Sequence, residues 1–358
     1  MRDEGYVYTL VTVTLLLVLL SLIFFYFQVS KPRFADTVTA IRTDELHYFI
    51  EAVKRDFTRV ASISGQRSAT YAINKVIISV APLDTYAFHP CPSRTSFVYS
   101  GTGSPAAIAE LMVCGTLDGS SSGSAKYMEN NTLIDWTNKT TLFANDIGFV
   151  VNMSLIDLKL MPLGAFNFAV LATFDTKAKD ADNNSLFRGN ISTLSIVPIY
   201  ALEDPLYLLK TLPFREPDLV PYFTKCDETP PITATKTEEW INSNCYHTAN
   251  KTEAAPSFFD RLDGRVSLST TYQTQGENMS ALLDIPQAAN IGLEAFANLD
   301  KFDAYNVSIN VSNTWVDYLY WQNVAGECNV TGMSSHPEFA IDENHGLKYG
   351  IVGLVCPP

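Results

Sequence analysis

The sequence predicts an α+β protein in which an N-terminal transmembrane helix and a helical stalk precede an antiparallel-β-rich, disulfide-stapled ectodomain. An uncharged apolar run opens the chain, helical spacing of apolar residues follows, and strand-like alternation begins near Ile147. The predicted division is 1–30 as transmembrane anchor, 31–80 as helical stalk, 81–200 as an α+β domain with a three-stranded antiparallel meander, and 201–358 as a second α+β domain.

The composition excludes two classes of protein. The 358 residues include 25 Lys+Arg and 38 Asp+Glu, which leaves a formal net charge of −13. A nucleic-acid binder needs a basic stripe to neutralise phosphates, so we expect no nucleic-acid partner. Hydrophobic residues make up 47% of the chain, which supplies ample apolar surface for a core and excludes intrinsic disorder.

The apolar run at the N-terminus predicts a membrane span. No residue between Gly5 and Ser30 is charged. As a helix, residues 6–29 would reach roughly 35 Å, more than the roughly 30 Å of a hydrocarbon core. A cleaved secretory signal has a shorter apolar region and a small-residue cleavage site. We therefore predict a retained, single-pass anchor in the cell membrane that contacts the lipid bilayer through residues 6–29.

The orientation of this span rests on opposing signals. Lys31 and Arg33 follow the span, so a count of basic residues alone leaves the C-terminal bulk in the cytoplasm. Six cysteines without metal-binding spacing and ten Asn-x-Ser/Thr sequons, where chance gives about four, indicate an exported chain and outweigh two basic residues. We predict an extracytoplasmic C-terminal domain. The sequon asparagines are Asn130, Asn138, Asn152, Asn183, Asn190, Asn250, Asn278, Asn306, Asn310 and Asn329.

The short head of the chain ends in Gly5, directly before the apolar run. It resembles the class III, prepilin-type leader of pilin-like proteins, in which a peptidase cuts after the glycine and the helix is kept as the assembly core. Cleavage here would leave Tyr6 as the first residue. Glu4 stands where such leaders carry Lys or Arg, and Leu10 stands where bacterial pilins often carry an acidic residue. A cleaved leader and an uncleaved signal anchor therefore both stay open.

Apolar spacing predicts several helices. An amphipathic helix over 36–64 would end at Gly65, and a second would cover 68–79. The single apolar stripe favours docking on the chain's own domain over packing in a filament. Ser104-Pro105 predicts a cap and first turn for a helix over 106–114, and helical spacing recurs over 126–143. The apolar stripe consists of Leu46, Phe49, Ile50, Val53, Phe57 and Val60.

Three consecutive runs over 149–160, 166–175 and 186–199 predict the meander. Asn152 and Asn190 would lie on its outer faces or ends. Further strands are predicted over 265–272 and 305–315, and the alternation of the second places Asn306 and Asn310 together on a solvated face. Short helices are predicted over 206–212 and 258–264.

The six cysteines allow 15 pairings. We predict the nearest-neighbour set, Cys91–Cys114, Cys226–Cys245 and Cys328–Cys356, which keeps each bridge within one proposed domain. Closing such loops stabilises by roughly 3–4 kcal/mol each on the chain-entropy estimate.

Six short segments carry a resemblance that spans nearly the whole chain. In this order they are similar to a group of uncharacterised archaeal membrane-anchored surface proteins described as pilin-like. The resemblance implies location and architecture, and it implies no reaction. The segments are Gly5–Leu10, Leu202–Leu208, Pro256–Gly264, Ile291–Phe296, Val316–Tyr320 and Phe339–His345.

The densest polar cluster of the sequence is His336, Glu338 and Asp342–His345. His336, Asp342 and His345 are weak candidates for metal ligands, because a separation of nine positions between the two histidines fits no standard helical spacing. A structural hydrogen-bond cluster is the favoured interpretation, and no cofactor and no catalytic residue is predicted. Glu203-Asp204-Pro205 is typical of a turn or helix cap rather than an acid/base pair.

Two further groups of residues are candidates for catalysis or ligand binding. Ser257 with His247, or His345 with Asp342, makes a hydrolase triad on paper, but the GxSxG elbow is absent from the sequence. Tyr318, Tyr320 and Trp321 could stack on a sugar, although period-two spacing more often means strand packing.

The sequence therefore favours a non-enzymatic, membrane-anchored surface protein, either pilin-like or adhesin-like, that self-assembles or joins other pilin-like subunits and whose ligand is unknown. One alternative is an ectoenzyme, a metal-assisted hydrolase that uses the His336–His345 region. Another is an accessory or sensor subunit of a membrane complex.

Overall fold

The computed structural model describes residues 4–91, 94–119, 128–180, 186–211, 219–284 and 290–357, and its fold is mixed α+β. Helices and strands are numbered in chain order. The helices are α1 (Glu4–Ser79), α2 (Ser104–Cys114), α3 (Leu133–Asp146), α4 (Pro205–Thr211), α5 (Ala234–Ser243), α6 (Phe258–Leu262), α7 (Thr270–Leu283), α8 (Leu299–Ala304), α9 (Asp317–Trp321) and α10 (Glu343–Tyr349). The strands are β1 (Phe149–Gly164), β2 (Asn167–Asp180), β3 (Leu186–Pro198), β4 (Tyr246–Ala249), β5 (Gly292–Ala295), β6 (Asn329–Val330) and β7 (Leu354–Val355).

Helix α1 is a single element of 76 residues. Within the described residues it holds one segment long and apolar enough to cross a membrane, Thr9–Gln28, with a mean hydropathy of 2.7 and none of it buried. The predicted helices over 36–64 and 68–79 are both present, but the predicted break at Gly65 is wrong. A Cβ at Gly65 would lie 2.7 Å from a Val197 methyl, so this glycine permits close packing inside a helix and does not end it.

The chain forms two compact units, each assembled from separate stretches of sequence. The first consists of Met1–Val53, Thr140–Met153 and Thr176–Gly189, and the second of Lys54–Lys139, Ser154–Asp175 and Asn190–Pro358. The second unit includes residues on both sides of Ala201, where a domain boundary is predicted. The four-part division stays a prediction, because compactness does not show which segments fold independently.

The apolar stripe of α1 is buried inside each unit. In the first unit Phe49 packs against Phe149, with ring centroids 5.8 Å apart. In the second unit Phe57 contacts the rings of Trp136 and Phe174, both at 5.1 Å. Of the predicted stripe, Val60 is the member that stays half-buried. The stripe is therefore docked on the chain itself, as its single apolar face indicates.

Strands β1, β2 and β3 form an antiparallel three-stranded sheet in sequential order, which confirms the predicted meander. Burial in β1 alternates from Phe149 through Ile156, as expected for a strand with one solvated face. Asn152 and Asn190 both lie exposed.

Two small antiparallel sheets, β4 with β5 and β6 with β7, lie in the second unit. In the first of these, Tyr246 pairs with Ala295 and His247 with Glu294. Around them packs an aromatic core that includes Trp240, Phe296, Trp315 and Phe339. This pairing holds β5, the strand that carries Glu294, inside the second unit.

Two predicted strands are wrong. The segment over 265–272 is a loop followed by α7, because Ser269 caps that helix by accepting from the Thr271 amide. The segment over 305–315 contains turns at 305–306 and 311–312 and forms no ladder among the described residues, and Asn306 has a left-handed φ of 59°. Its alternation survives as burial, because Tyr305, Val307 and Ile309 pack on the core.

Helix α2 is buried along its entire length and ends at Gly115 in the left-handed conformation. The prediction that Ser104 caps it is wrong, since Ser104 is its first residue. The Ser104 hydroxyl donates instead to the Phe259 carbonyl oxygen at 3.0 Å, and its amide donates to Asp263 Oδ1 at 2.8 Å. The predicted helix over 126–143 corresponds to α3, and residues 126 and 127 lie outside the described residues.

Candidate functional site

Five of the six segments that carry the family resemblance lie in the second unit, and four of them supply members of one buried polar network. Their charged members lie on or beside α4, α6, β5 and α9, and all are fully buried. Fully buried charges require partners, since burial without a partner costs several kcal/mol. This network of Asp204, Arg261, Glu294 and Asp317 is called the buried ionic network below.

Arg261 is the cation at the centre of this network. Its guanidinium donates from Nη1 to Asp204 Oδ2 at 2.5 Å and from Nη2 to Asp317 Oδ2 at 2.9 Å. Nη2 also donates to the Leu293 carbonyl oxygen. Tyr246 donates its hydroxyl to Asp204 at 2.7 Å, and its ring lies 5.3 Å from the guanidinium carbon. One cation thus bridges two carboxylates from separate helices.

Burial and charge act in opposite directions on these groups. Burial alone would lower the pKa of Arg261, but Asp204 and Asp317 raise it above its ordinary value. Burial raises the pKa of Asp317 to about 6, and Arg261 opposes that rise. Asp204 also accepts from the Leu206 amide at 2.9 Å at the start of α4, which agrees with its predicted capping role.

Strand β5 connects this centre to a second group of charges. The Ala295 amide donates to Asp317 Oδ1, while the neighbouring Glu294 points to the other side of the strand. Glu294 accepts from the Tyr349 hydroxyl at 2.7 Å and from Lys348, and His345 Nε2 lies 3.4 Å from its other oxygen. Burial would raise the pKa of Glu294, but His345 and Lys348 lower it to about 2.

His345 is held between two carboxylates. Its Nδ1 lies 2.9 Å from Asp342 Oδ1, and Asp342 also caps α10 by accepting from the His345 amide. Burial would lower the pKa of His345, but hydrogen bonds with Asp342 and Glu294 raise it to about 9. His345 is therefore an imidazolium at neutral pH.

The structure does not bring the two candidate histidines together on shared partners. His336 Nδ1 lies 2.5 Å from Asp300 Oδ2, and its Nε2 lies 3.2 Å from Asn242. Within the described residues, no group of three or more His, Cys, Asp or Glu side chains has an arrangement that could hold a metal ion.

No hydrolase triad is assembled from the candidates named above, because His345 contacts Asp342 but Ser257 and His247 each pair with another residue. Ser257 forms a capping box with Asp260 at the start of α6, and His247 pairs with Glu228 at 2.9 Å. The sugar-stacking interpretation of Tyr318 and Tyr320 is wrong. Both lie on helix α9 rather than on a strand, and they are 1% and 8% exposed.

What this network can do chemically follows from its access to solvent. Arg261, Asp204 and Asp317 have no exposed surface, so a substrate cannot touch them in this conformation. The sequence patterns considered above did not predict the buried ionic network. A usable signal was present, because Asp260-Arg261 follows Phe258-Phe259 and precedes Leu262, and charges inside an apolar run are candidates for paired burial.

The cysteines meet in the three pairs chosen from the sequence. Cys91 joins Cys114, Cys226 joins Cys245, and Cys328 joins Cys356, with Cα separations of 5.9, 5.0 and 4.1 Å. The third bridge attaches the last residues of the chain next to the β6–β7 pair.

Nine of the ten sequon asparagines are described, and all nine are exposed. Asn183 lies outside the described residues. Asn306 and Asn310 are both exposed, as predicted, although the strand on which that expectation rested is absent from the described segment. By contrast, the buried asparagines Asn244, Asn298 and Asn313 belong to no sequon. Gly5 and Tyr6 lie in the first turns of α1.

No protein-family model, no curated protein and no solved structure matches the chain. The resemblance to archaeal pilin-like surface proteins therefore stays a prediction based on the short segments alone.

Proposed function

We propose that the chain is a non-enzymatic surface protein, pilin-like or adhesin-like, anchored by a single span with its C-terminal domain outside the cell membrane. The observation that carries the proposal is the segment Thr9–Gln28. Its large hydrophobic side chains from Leu10 to Phe27 are between 44% and 72% exposed. Soluble monomers rarely expose apolar surface on this scale, so a bilayer is the natural cover for it.

An extracytoplasmic location is supported by two independent features. Three cysteine pairs at bonding distance are stable in an oxidising compartment. Every described sequon asparagine is exposed, which glycosylation requires. We propose that these asparagines carry glycans in the native host.

A structural role is supported by the chemistry of the strongest electrostatic cluster. The groups with the most perturbed pKa values around Arg261 and Glu294 are buried and neutralise one another. Structural ion-pair networks also perturb pKa values, so these shifts do not require a catalytic role. The partners we propose are the bilayer and further copies of this chain or other pilin-like subunits, which the exposed anchor helix would contact.

The anchor is tested by charge insertion in the full-length chain. A single Arg at the centre of a span costs about 2.5–3.5 kcal/mol on insertion scales. After alkaline extraction of membranes, we expect the double variant Leu16→Arg/Leu19→Arg to be lost from the membrane fraction and found in the supernatant. The matched control is Leu142→Arg, because Leu142 lies outside the span and is 65% exposed. This variant should stay in the membrane fraction.

Mass spectrometry of the mature N-terminus separates the branches of the proposal. A first residue of Tyr6 supports the prepilin-type route. An intact Met1 removes the pilin-like branch and leaves the signal anchor. A mature chain that starts beyond Ser30 and is released from the membrane overturns the anchor itself.

A further inference from the structure

A pocket of about 450 Å³ lies in the second unit beside a sequon asparagine. Its walls are strands β1 and β2, helix α7 and the loop over 99–101. Asn278, on α7, is one of the lining residues and is exposed. Anything attached to the Asn278 side chain therefore starts at the wall of this pocket.

The lining combines an apolar floor with polar walls. Met161 and Met279 are buried in a small apolar cluster against which Leu171 packs. On the walls, Asp157 and Lys159 are 3.6 Å apart and half exposed. Gln275 Oε1 is buried without a hydrogen-bond partner among the described residues. This oxygen has almost no accessible surface, so the accessible charged groups of the pocket are Asp157 and Lys159.

The loop at the mouth of the pocket is closely built. A Cβ on Gly101 would lie 2.5 Å from the Tyr99 ring, so the glycine lets the backbone pass directly over that ring. Burial raises the pKa of Tyr99 to about 12, so its hydroxyl is neutral and polar. The pocket thus offers an aromatic edge, apolar contacts and an ion pair.

We propose that this pocket holds the first sugars of an N-linked glycan on Asn278, an inference that rests on the proposed glycosylation of the ectodomain. A sugar has C–H faces that suit Met161 and Leu171 and hydroxyls that suit Asp157 and Lys159. Attachment joins Asn278 Nδ2 to the anomeric carbon of a lipid-phosphate-linked oligosaccharide. Nδ2 loses a proton, and the lipid phosphate is the leaving group.

Because the glycan is covalently tethered to Asn278, weak contacts are sufficient to hold its first sugars in the pocket. A sugar bound to Asn278 is present at its own pocket at an effective concentration in the millimolar range, so no loss of translational freedom opposes its contacts. The other described sequon asparagines are absent from the lining of this pocket. A specific stabilising effect is therefore expected at Asn278.

The test compares two substitutions of Ser280, the third residue of the sequon, in full-length protein from the glycosylating host. Ser280→Thr keeps the sequon and Ser280→Ala removes it. The Ser280 hydroxyl donates to the Gly276 carbonyl oxygen within the helix. Intrinsic helix propensity favours Ala over Thr at this position, so it opposes the effect expected from the glycan. We expect Ser280→Ala to melt about 2–4 °C below Ser280→Thr.

The matched control is the same pair at Ser308 in the Asn306 sequon, which does not line the pocket. Ser308→Ala and Ser308→Thr should melt within 1 °C of each other, on the order of the error of such measurements. In an Asp157→Ala/Lys159→Ala background the Ser280 difference should shrink, because contacting groups show coupling in a double-mutant cycle.

Glycopeptide mass spectrometry assigns each outcome. If Asn278 carries a glycan but the two Ser280 variants have the same melting temperature, the pocket inference is overturned and the surface-glycoprotein proposal still holds. Asn278 unmodified while other sequons are occupied also overturns the inference alone. A chain without glycan at any sequon overturns the glycosylation proposal together with the inference, and the anchor test above is unaffected.

Discussion

Replacing Arg261 with methionine tests whether the buried ionic network stabilises the second unit. The substitution keeps an unbranched apolar stem and removes the cation. Asp204 and Asp317 then lose their shared partner while both stay fully buried. Removing one member of a buried ion pair costs about 3–5 kcal/mol. Domains are stable by about 5–15 kcal/mol, so the variant should fold with a much reduced margin.

The pH dependence of this loss has a defined sign. A carboxyl whose pKa is raised on folding contributes stability that is full below its unfolded value, near 3.8 for Asp317, and lost as the pH rises through its folded value of about 6. Without Arg261 the folded pKa rises further. The defect of Arg261→Met should therefore be largest at pH 8 and smaller at pH 5, where protonation neutralises the carboxylates.

The assay is urea unfolding of the full-length chain in detergent, followed by tryptophan fluorescence, since Trp240 and Trp315 are buried in the same unit. Arg265→Met is the matched control, because the Arg265 side chain is 46% exposed and should change stability by less than about 0.5 kcal/mol. The triple change Arg261→Met/Asp204→Asn/Asp317→Asn should recover much of the loss. Equal stability of the two methionine variants, or a loss independent of pH, would refute the reasoning.

His345→Gln should lower the free energy of unfolding by about 3 kcal/mol below pH 6.5, because the pKa of His345 is raised on folding to about 9. The difference from the parent protein should vanish as the pH rises through about 9. Unfolding curves of both proteins across this pH range check the sign. Gly65→Leu should destabilise by about 1–3 kcal/mol through overpacking against Val197, and adding Val197→Ala should restore part of that loss in thermal unfolding; a neutral Gly65→Leu would contradict the close packing. The double change Cys226→Ser/Cys245→Ser should lower stability by about 3 kcal/mol, and non-reducing peptide maps that link Cys226 to another cysteine would contradict the pairing.

Local patterns in the sequence were enough for the elements that depend on neighbouring residues. The apolar segment of α1, the alternation of β1 and the capping of α4 by Asp204 follow from spacing within one or two turns. The exposure of the sequons follows from the polarity of their surroundings. The nearest-neighbour cysteine pairs are also those of the structure, because each bridge closes a short excursion of chain.

Where the sequence failed, a distant contact outweighed the local signal. By local rules Gly65 predicts the end of a helix, yet the helix continues through it. The glycine is explained by a distant contact, because Val197 lies where a Cβ would be. The alternation over 305–315 predicts a strand, but its apolar side chains pack on the core and no neighbouring strand pairs with it in the described chain.

The sequence by itself determined the apolar N-terminal segment, the meander and the exposed sequons, because hydrophobic periodicity and composition act over a few residues. Only the tertiary structure decided that Arg261 pairs with Asp204 and Asp317, and that strand β5 connects this group to Glu294. These residues are separated by more than 20 positions from one another. Their pairing is set by the high cost of burying a charge alone, which is felt only after the chain has brought distant segments together.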